Sequence, residues 1–175
     1  TSTDEIFNRY MYYQRALKGN KNSTTEGLRD FYEKDSYALL KSDRTFEDLQ
    51  NLGGFWQAIS IQDKNYFDEN TLRWLFILNY APNIMWANIT SVYFMKNRDE
   101  QNKLDNIKFA KFLEKITAFI FAYSFIYPSV SQLRTPIYSA MVDIINDKEM
   151  DFSKVLFEKE NLKTFIQNQK FSNKN

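Results

Sequence analysis

The chain has 175 residues, with Phe 16 and Tyr 11 among an aromatic share of 17%, Gly 4, Pro 3, and neither Cys nor His. Its 23 Lys and Arg against 22 Asp and Glu leave a formal charge of +1 and a sequence pI near 7.7, so no strong electrostatic partner is implied. Missing cysteine excludes disulfides, thiolate metal sites and cysteine nucleophiles; missing histidine removes the commonest general base, HNH and HExxH metal chemistry and every Ser-His triad.

The length suits one domain with one core, and large rings rather than small aliphatics must fill it. With so few turn residues and no long alternating β-branched runs, the chain reads as all-α: a bundle of about seven to eight helices around a central helix near 104–127. It opens on Thr1 rather than Met and is expected to be a piece of a longer protein. Residues 1–22 leave open whether they form a peripheral helix and linker or join the core.

In chain order, Ser2 and Glu5 have the spacing of a capping box, and Gly19 stops the helix between them. Ile6, Tyr10, Tyr13 and Leu17 mark its inward positions. Ser23 and Glu26 repeat that spacing ahead of a predicted helix from about Thr25 to Lys41, with Leu28, Phe31, Tyr32, Leu39 and Leu40 inward. Thr45, with Asp48 three residues on, predicts the next start. Gly53 and Gly54 lie inside that helix, where two glycines cost roughly 2 kcal/mol relative to alanines; a tolerated irregularity is favoured over a bend or close backbone approach. Asn70 is expected to cap a helix from Thr71 to Tyr80, and Pro82 fits the first turn of another, to Lys96, the two forming a hairpin.

The uncharged run from Trp74 to Met95 is long enough to cross a membrane, but Pro82 divides it, Asn79, Asn83 and Asn88 interrupt it, and mean hydropathy is −0.54, so no membrane contact is expected. A polar connector, residues 97–103, leads to the central segment Leu104 to Tyr127. There Ile107, Phe109 or Ala110, Leu113, Ile116, Ile120 and Tyr123 recur at helical spacing opposite Lys108, Lys111, Glu114 and Lys115, and the polar face vanishes after Ile116. Pro128 ends it. Pro136 is expected to confine the following helix to about Thr135–Ile145, and a last helix is expected from Asp151 or Ser153 to about Gln169.

Chemistry-bearing patterns are sparse. Asp35, Glu47, Asp48 and Asp68 could supply oxygen ligands to a hard cation, yet helix caps explain them as well, so no metal or other cofactor is expected. Gly53-Gly54 lacks the Lys-Ser/Thr of a phosphate loop. Arg9, Arg15, Lys18 and Lys21 interleave with rings near the amino terminus and are the candidate nucleic-acid-binding residues; their alternative is packing tyrosines with solvated cations. Lys108, Lys111 and Lys115 read as a solvated face.

The order of elements from Phe31 to Asp147 resembles the helical middle segment of the GmrSD-like restriction proteins. It runs through Thr45-Phe46-Glu47-Asp48-Leu49, the segments Leu72 to Leu78 and Ile84 to Tyr93, the Phe109 to Tyr127 helix, and Leu133-Arg134-Thr135-Pro136-Ile137-Tyr138. In that bacterial family, nucleotide-dependent work belongs to a ParB-like amino-terminal domain and DNA cleavage to a carboxy-terminal HNH-type domain. Neither motif set is in this chain, so the resemblance carries no active-site residue onto it. It implies a non-catalytic cytoplasmic scaffold or interaction domain, with the flanking domains, DNA or a second copy as partners; the alternative is a helical nucleic-acid-binding module.

Overall fold

The computed structural model of the chain describes residues 2–126 and 130–152. Among them are α1 Thr3–Leu17, α2 Leu28–Tyr37, a 3-10 turn Ala38–Lys41, α3 Asp43–Ser60, α4 Glu69–Leu78, α5 Met85–Asn97, α6 Asn106–Ile126 and α7 Val130–Ile145, and no strand. The fold is the all-α bundle that composition and periodicity predict. Pro128 and the expected last helix beyond residue 152 lie outside the described residues.

The first helix starts as its capping box dictates. The Ser2 hydroxyl accepts from the Glu5 amide at 3.3 Å, and the Glu5 carboxylate accepts from the Ser2 amide at 2.7 Å. Gly19 ends the helix at φ +67, a conformation that costs glycine no Cβ clash. Its middle belongs to the core, where Tyr10, Met11, Tyr12, Tyr13 and Ala16 are buried in a helix packed on α3, α5 and α7. Ile6 is only half-buried, and Leu17, at the last helical position, is exposed.

The second helix departs from expectation at both ends. Gly27, not Ser23, is its N-cap, because Glu26 pairs instead with Arg15 at 3.9 Å and with Lys34. It stops at Tyr37: Asp35, Ser36 and Tyr37 have φ of 50, 56 and 63, left-handed values at roughly 1–2 kcal/mol each for a residue with a Cβ. Burial of Phe31 and Tyr32 just upstream anchors the segment against that cost, whereas Leu40 is left exposed.

Ser42 rather than Thr45 precedes the third helix, and the Thr45 amide donates to the Ser42 carbonyl at 3.0 Å. Thr45 and Asp48 therefore lie within the helix, and both are buried. Gly53 and Gly54 sit inside a continuous helix, and a Cβ added at either would meet nothing within 4 Å. No neighbouring backbone requires them. Asp68, two residues before Asn70, caps α4 by accepting from the Thr71 amide at 2.7 Å.

That fourth helix packs chiefly on α6 rather than folding back on α5 as a hairpin. Thr71, Leu75 and Leu78 turn inward, and the Thr71 hydroxyl reaches Asn106 at the start of α6 at 3.4 Å. The uncharged run from Trp74 becomes, in its second half, a core helix: ten of the 13 residues of α5 are buried, between α1 and α7 on one side and α3 and α6 on the other. Among the described residues no helix is long and apolar enough to cross a membrane.

The central segment is buried on the predicted positions Phe109, Ala110, Leu113, Ile116, Ile120 and Tyr123, with Lys108, Lys111 and Glu114 outward. Ile107 is the departure, exposed at 69%. Asp105 caps the Lys108 amide at 3.1 Å, and the phase this sets turns Phe109 and Phe112 to Tyr93, at ring separations of 5.6 and 4.1 Å. Pro136 does not begin α7, which starts six residues earlier at Val130. Leu133 and Ile137, buried on either side of the proline, hold the helix together across the missing N–H.

Candidate functional site

Three groups of side chains stand out once the helices are in place. The first is a buried polar tie. Asp48 of α3, only 5% exposed, accepts from the Tyr10 hydroxyl of α1 at 3.0 Å and from the Arg98 guanidinium just after α5 at 2.5 Å, and Gln14 donates to the Tyr10 oxygen at 2.8 Å. Burial, with the nearby Asp48 charge, pushes the Tyr10 hydroxyl up to about 12. A neutral phenol therefore donates to a carboxylate that a guanidinium holds from the other side. This geometry fastens three elements through one side chain.

The second group is built on Arg9, the residue of α1 just before Tyr10. The Arg9 guanidinium covers the Trp56 ring at 3.9 Å, and Trp56 packs edge-on to Trp86 at 5.4 Å. The indole N–H of Trp56 donates to the Ser91 hydroxyl at 2.8 Å, which donates in turn to the Ala87 carbonyl at 2.8 Å. Burial pulls the Arg9 guanidinium below its usual range, opposed by the charge of Glu5. Its Nη1 is buried without an acceptor, as are Thr90 Oγ1 and Arg134 Nε.

The third group is on the surface around α4. Phe76 and Tyr80, 49% and 70% exposed, meet edge to face at 5.3 Å, and Ile84 follows them into solvent. Phe76 also closes one end of an open groove of about 620 Å³, lined by Phe67 and Leu72 below and by Gln62, Lys64, Asp68 and Arg73 at the rim. Mixed charge over an apolar floor suits a protein surface or a peptide.

The four basic residues singled out in sequence are not gathered on one face. Arg15 is buried, and its guanidinium binds the carbonyls of Asn22 at 2.8 Å and Thr24 at 3.3 Å while lying over the Tyr138 ring. Arg9 is held on Trp56. Lys21 reaches α7, donating to the Ser139 hydroxyl at 3.2 Å beside Asp143 at 3.6 Å, and Lys18 is exposed at the end of α1. Lys115 pairs with Glu149 at 3.0 Å. Asp35 lies in the left-handed break within the last turn of α2, Asp68 caps α4 and Asp48 is in the tie, so these acids do not assemble.

Sequence reasoning missed Asp48, Arg98 and Arg134 as interior groups. Asp48 stands three residues after Thr45, which mimics a cap, and Arg98 lies in the most polar run of the chain. The available signal was weak: Tyr10, Tyr13 and Gln14 form a polar edge on an otherwise apolar helix that needs partners. No family model, no curated protein and no solved structure matches this chain.

Proposed function

We propose that this chain is a non-catalytic helical scaffold or interaction domain, serving as the connecting piece of a longer protein of the GmrSD-like class. One observation carries the reading: the exposed Phe76–Tyr80 ring pair, continuous with the groove beneath α4, in a chain whose buried charged groups tie helices together. Exposed aromatic pairs beside a mixed-charge rim are the composition of an interface centre, and aromatic anchors dominate interface energetics. The rigid ring core behind α4 gives such a surface a fixed shape. The partner proposed for it is a flanking domain of the parent protein.

The coding region on both sides is read first. A reading frame closing at these termini removes the scaffold role, and flanking segments without a nuclease or nucleotide-binding motif remove the restriction class. Hydrogen exchange is then compared between this chain and its parent. Protection of residues 69–84 in the parent supports the reading; identical exchange in both overturns it.

A further inference from the structure

The lysine face of α6 borders a second opening in the bundle. An open groove of about 250 Å³ lies where α5, α6 and the turn after α7 meet. Its floor is apolar, made by Tyr93 of α5, Phe112 of α6, Ile144 of α7 and Met150 beyond it. Tyr93 and Phe112 stack at 4.1 Å with their planes 21° apart, and Phe112 and Ile144 belong to the core, so the floor has a fixed shape.

Three lysines stand on the rim. Lys108 and Lys115 project from α6 two turns apart, with exposed Lys111 between them, and Lys148 joins them from the turn that closes α7. Backbone bonds hold that turn: the Asp147 amide donates to the Ile144 carbonyl at 3.2 Å and the Lys148 amide to the Asp143 carbonyl at 2.9 Å. The acids of the rim are already taken, Asp147 by Lys96 at 2.9 Å and Glu149 by Lys115 at 3.0 Å. Among the described residues, Lys108 and Lys148 make no ion pair. Lys108 also stands in the first turn of α6, where the aligned peptide dipoles already place positive charge and an acidic residue is the usual choice.

Glu149 shows what this rim accepts. Its carboxylate, 89% exposed, reaches Lys115 from the segment after α7. An ion pair so open to water contributes little to stability, so an incoming carboxylate can take Lys115 from Glu149 at small cost. The groove is smaller than the pockets that enclose cofactors and drug-sized molecules, roughly 300–1,000 Å³, and suits a single large side chain.

We propose that the groove between α5, α6 and α7 is a docking site for an acidic peptide segment of a partner protein, which seats one aromatic or branched aliphatic side chain on Tyr93 and Phe112 and sets carboxylates on Lys108, Lys115 and Lys148. Asp147 and Glu149 on the same rim repel a phosphate backbone, which brings evenly spaced charge and no apolar anchor, and so favour a peptide over a nucleic acid. This surface shares no residue with the groove beneath α4, so each is tested without the other.

The test titrates the 175-residue chain with a synthetic peptide of about ten residues, glutamates on either side of a Phe-Leu pair, followed by fluorescence anisotropy and by NMR. Saturable binding that weakens with salt is expected, with shifts at Tyr93, Phe112 and Ile144. Lys108→Glu with Lys148→Glu is expected to weaken it roughly tenfold or more, Glu149→Gln to strengthen it, and Lys64→Glu with Arg73→Glu, the same change in net charge at the other groove, to leave it unchanged. Equal weakening by the two charge-reversed pairs, full affinity when the Phe-Leu pair is replaced by two serines, or displacement of the peptide by a single-stranded oligonucleotide of equal charge at lower concentration overturns the proposal. Both rim lysines are exposed and tie down no helix, but the unaltered chain also decides by itself: shifts gathered on the groove support the site, and shifts elsewhere or none overturn it.

Discussion

A single carboxylate, Asp48, accepts from α1 and from the segment after α5 while sitting on α3. Removing one member of a buried pair leaves the other charged and unmatched, so Asp48→Ala is expected to lower the unfolding free energy by about 3–5 kcal/mol in urea denaturation, and Asp48→Leu with Arg98→Met is expected to recover much of it. The tyrosines set an alkaline limit. Tyr10 and Tyr66 are pushed up to about 12 by burial, and burial also raises Tyr32 and Tyr138. An unfolded tyrosine ionises near 10, so the unfolded chain binds fewer protons than the folded one above that pH. Stability held by these groups is complete below pH 10 and is lost as pH rises toward 12, which urea midpoints measured from pH 8 upward will show as a fall beginning near 10. These side chains were legible as core members from their spacing. The polar tie was not, because a helix-surface Asp and a buried one carry the same local pattern, and only the partner helices distinguish them.

At the scale of the helix, local chemistry and tertiary packing divide the outcome. The capping box at Ser2, the Gly19 stop and the polar face of α6 follow from residues within one or two turns, and all could be read directly. Starts and ends decided by distant partners could not. Glu26 abandons its cap for Arg15 and Lys34, and α7 runs through Pro136 because Leu133 and Ile137 are both buried. Gly53 and Gly54 offer a clean measurement at this scale. With helical backbone and open space at both Cβ positions, Gly53→Ala and Gly54→Ala are each expected to add about 0.5–1 kcal/mol, and nearly the sum together, read as an increase in the urea midpoint at unchanged slope. Loss of stability in either variant would mean that the helix uses its glycines for a bend.

For the whole molecule, rings do the space-filling that composition demanded. Phe55, Phe94, Phe67, Phe109, Phe112 and Tyr93 stack or meet edge to face through the contact of α3, α5 and α6, with Phe55 and Phe94 at 4.1 Å. The rings left outside this core are separable from it. Phe76→Ser with Tyr80→Ser is expected to change stability by less than about 1 kcal/mol, while abolishing any protection that a partner confers on residues 69–84. A large loss of Tm would place those rings in the fold rather than on an interface. The tryptophan pair has an optical consequence. With indoles 5.4 Å apart at 60°, the transitions of Trp56 and Trp86 couple, and the chain should carry an exciton doublet in its ultraviolet circular dichroism that Trp56→Phe or Trp86→Phe abolishes. The protein thus contains its own label for the meeting of α3 with α5, and the doublet's disappearance on denaturation will time the parting of those two helices without any added probe.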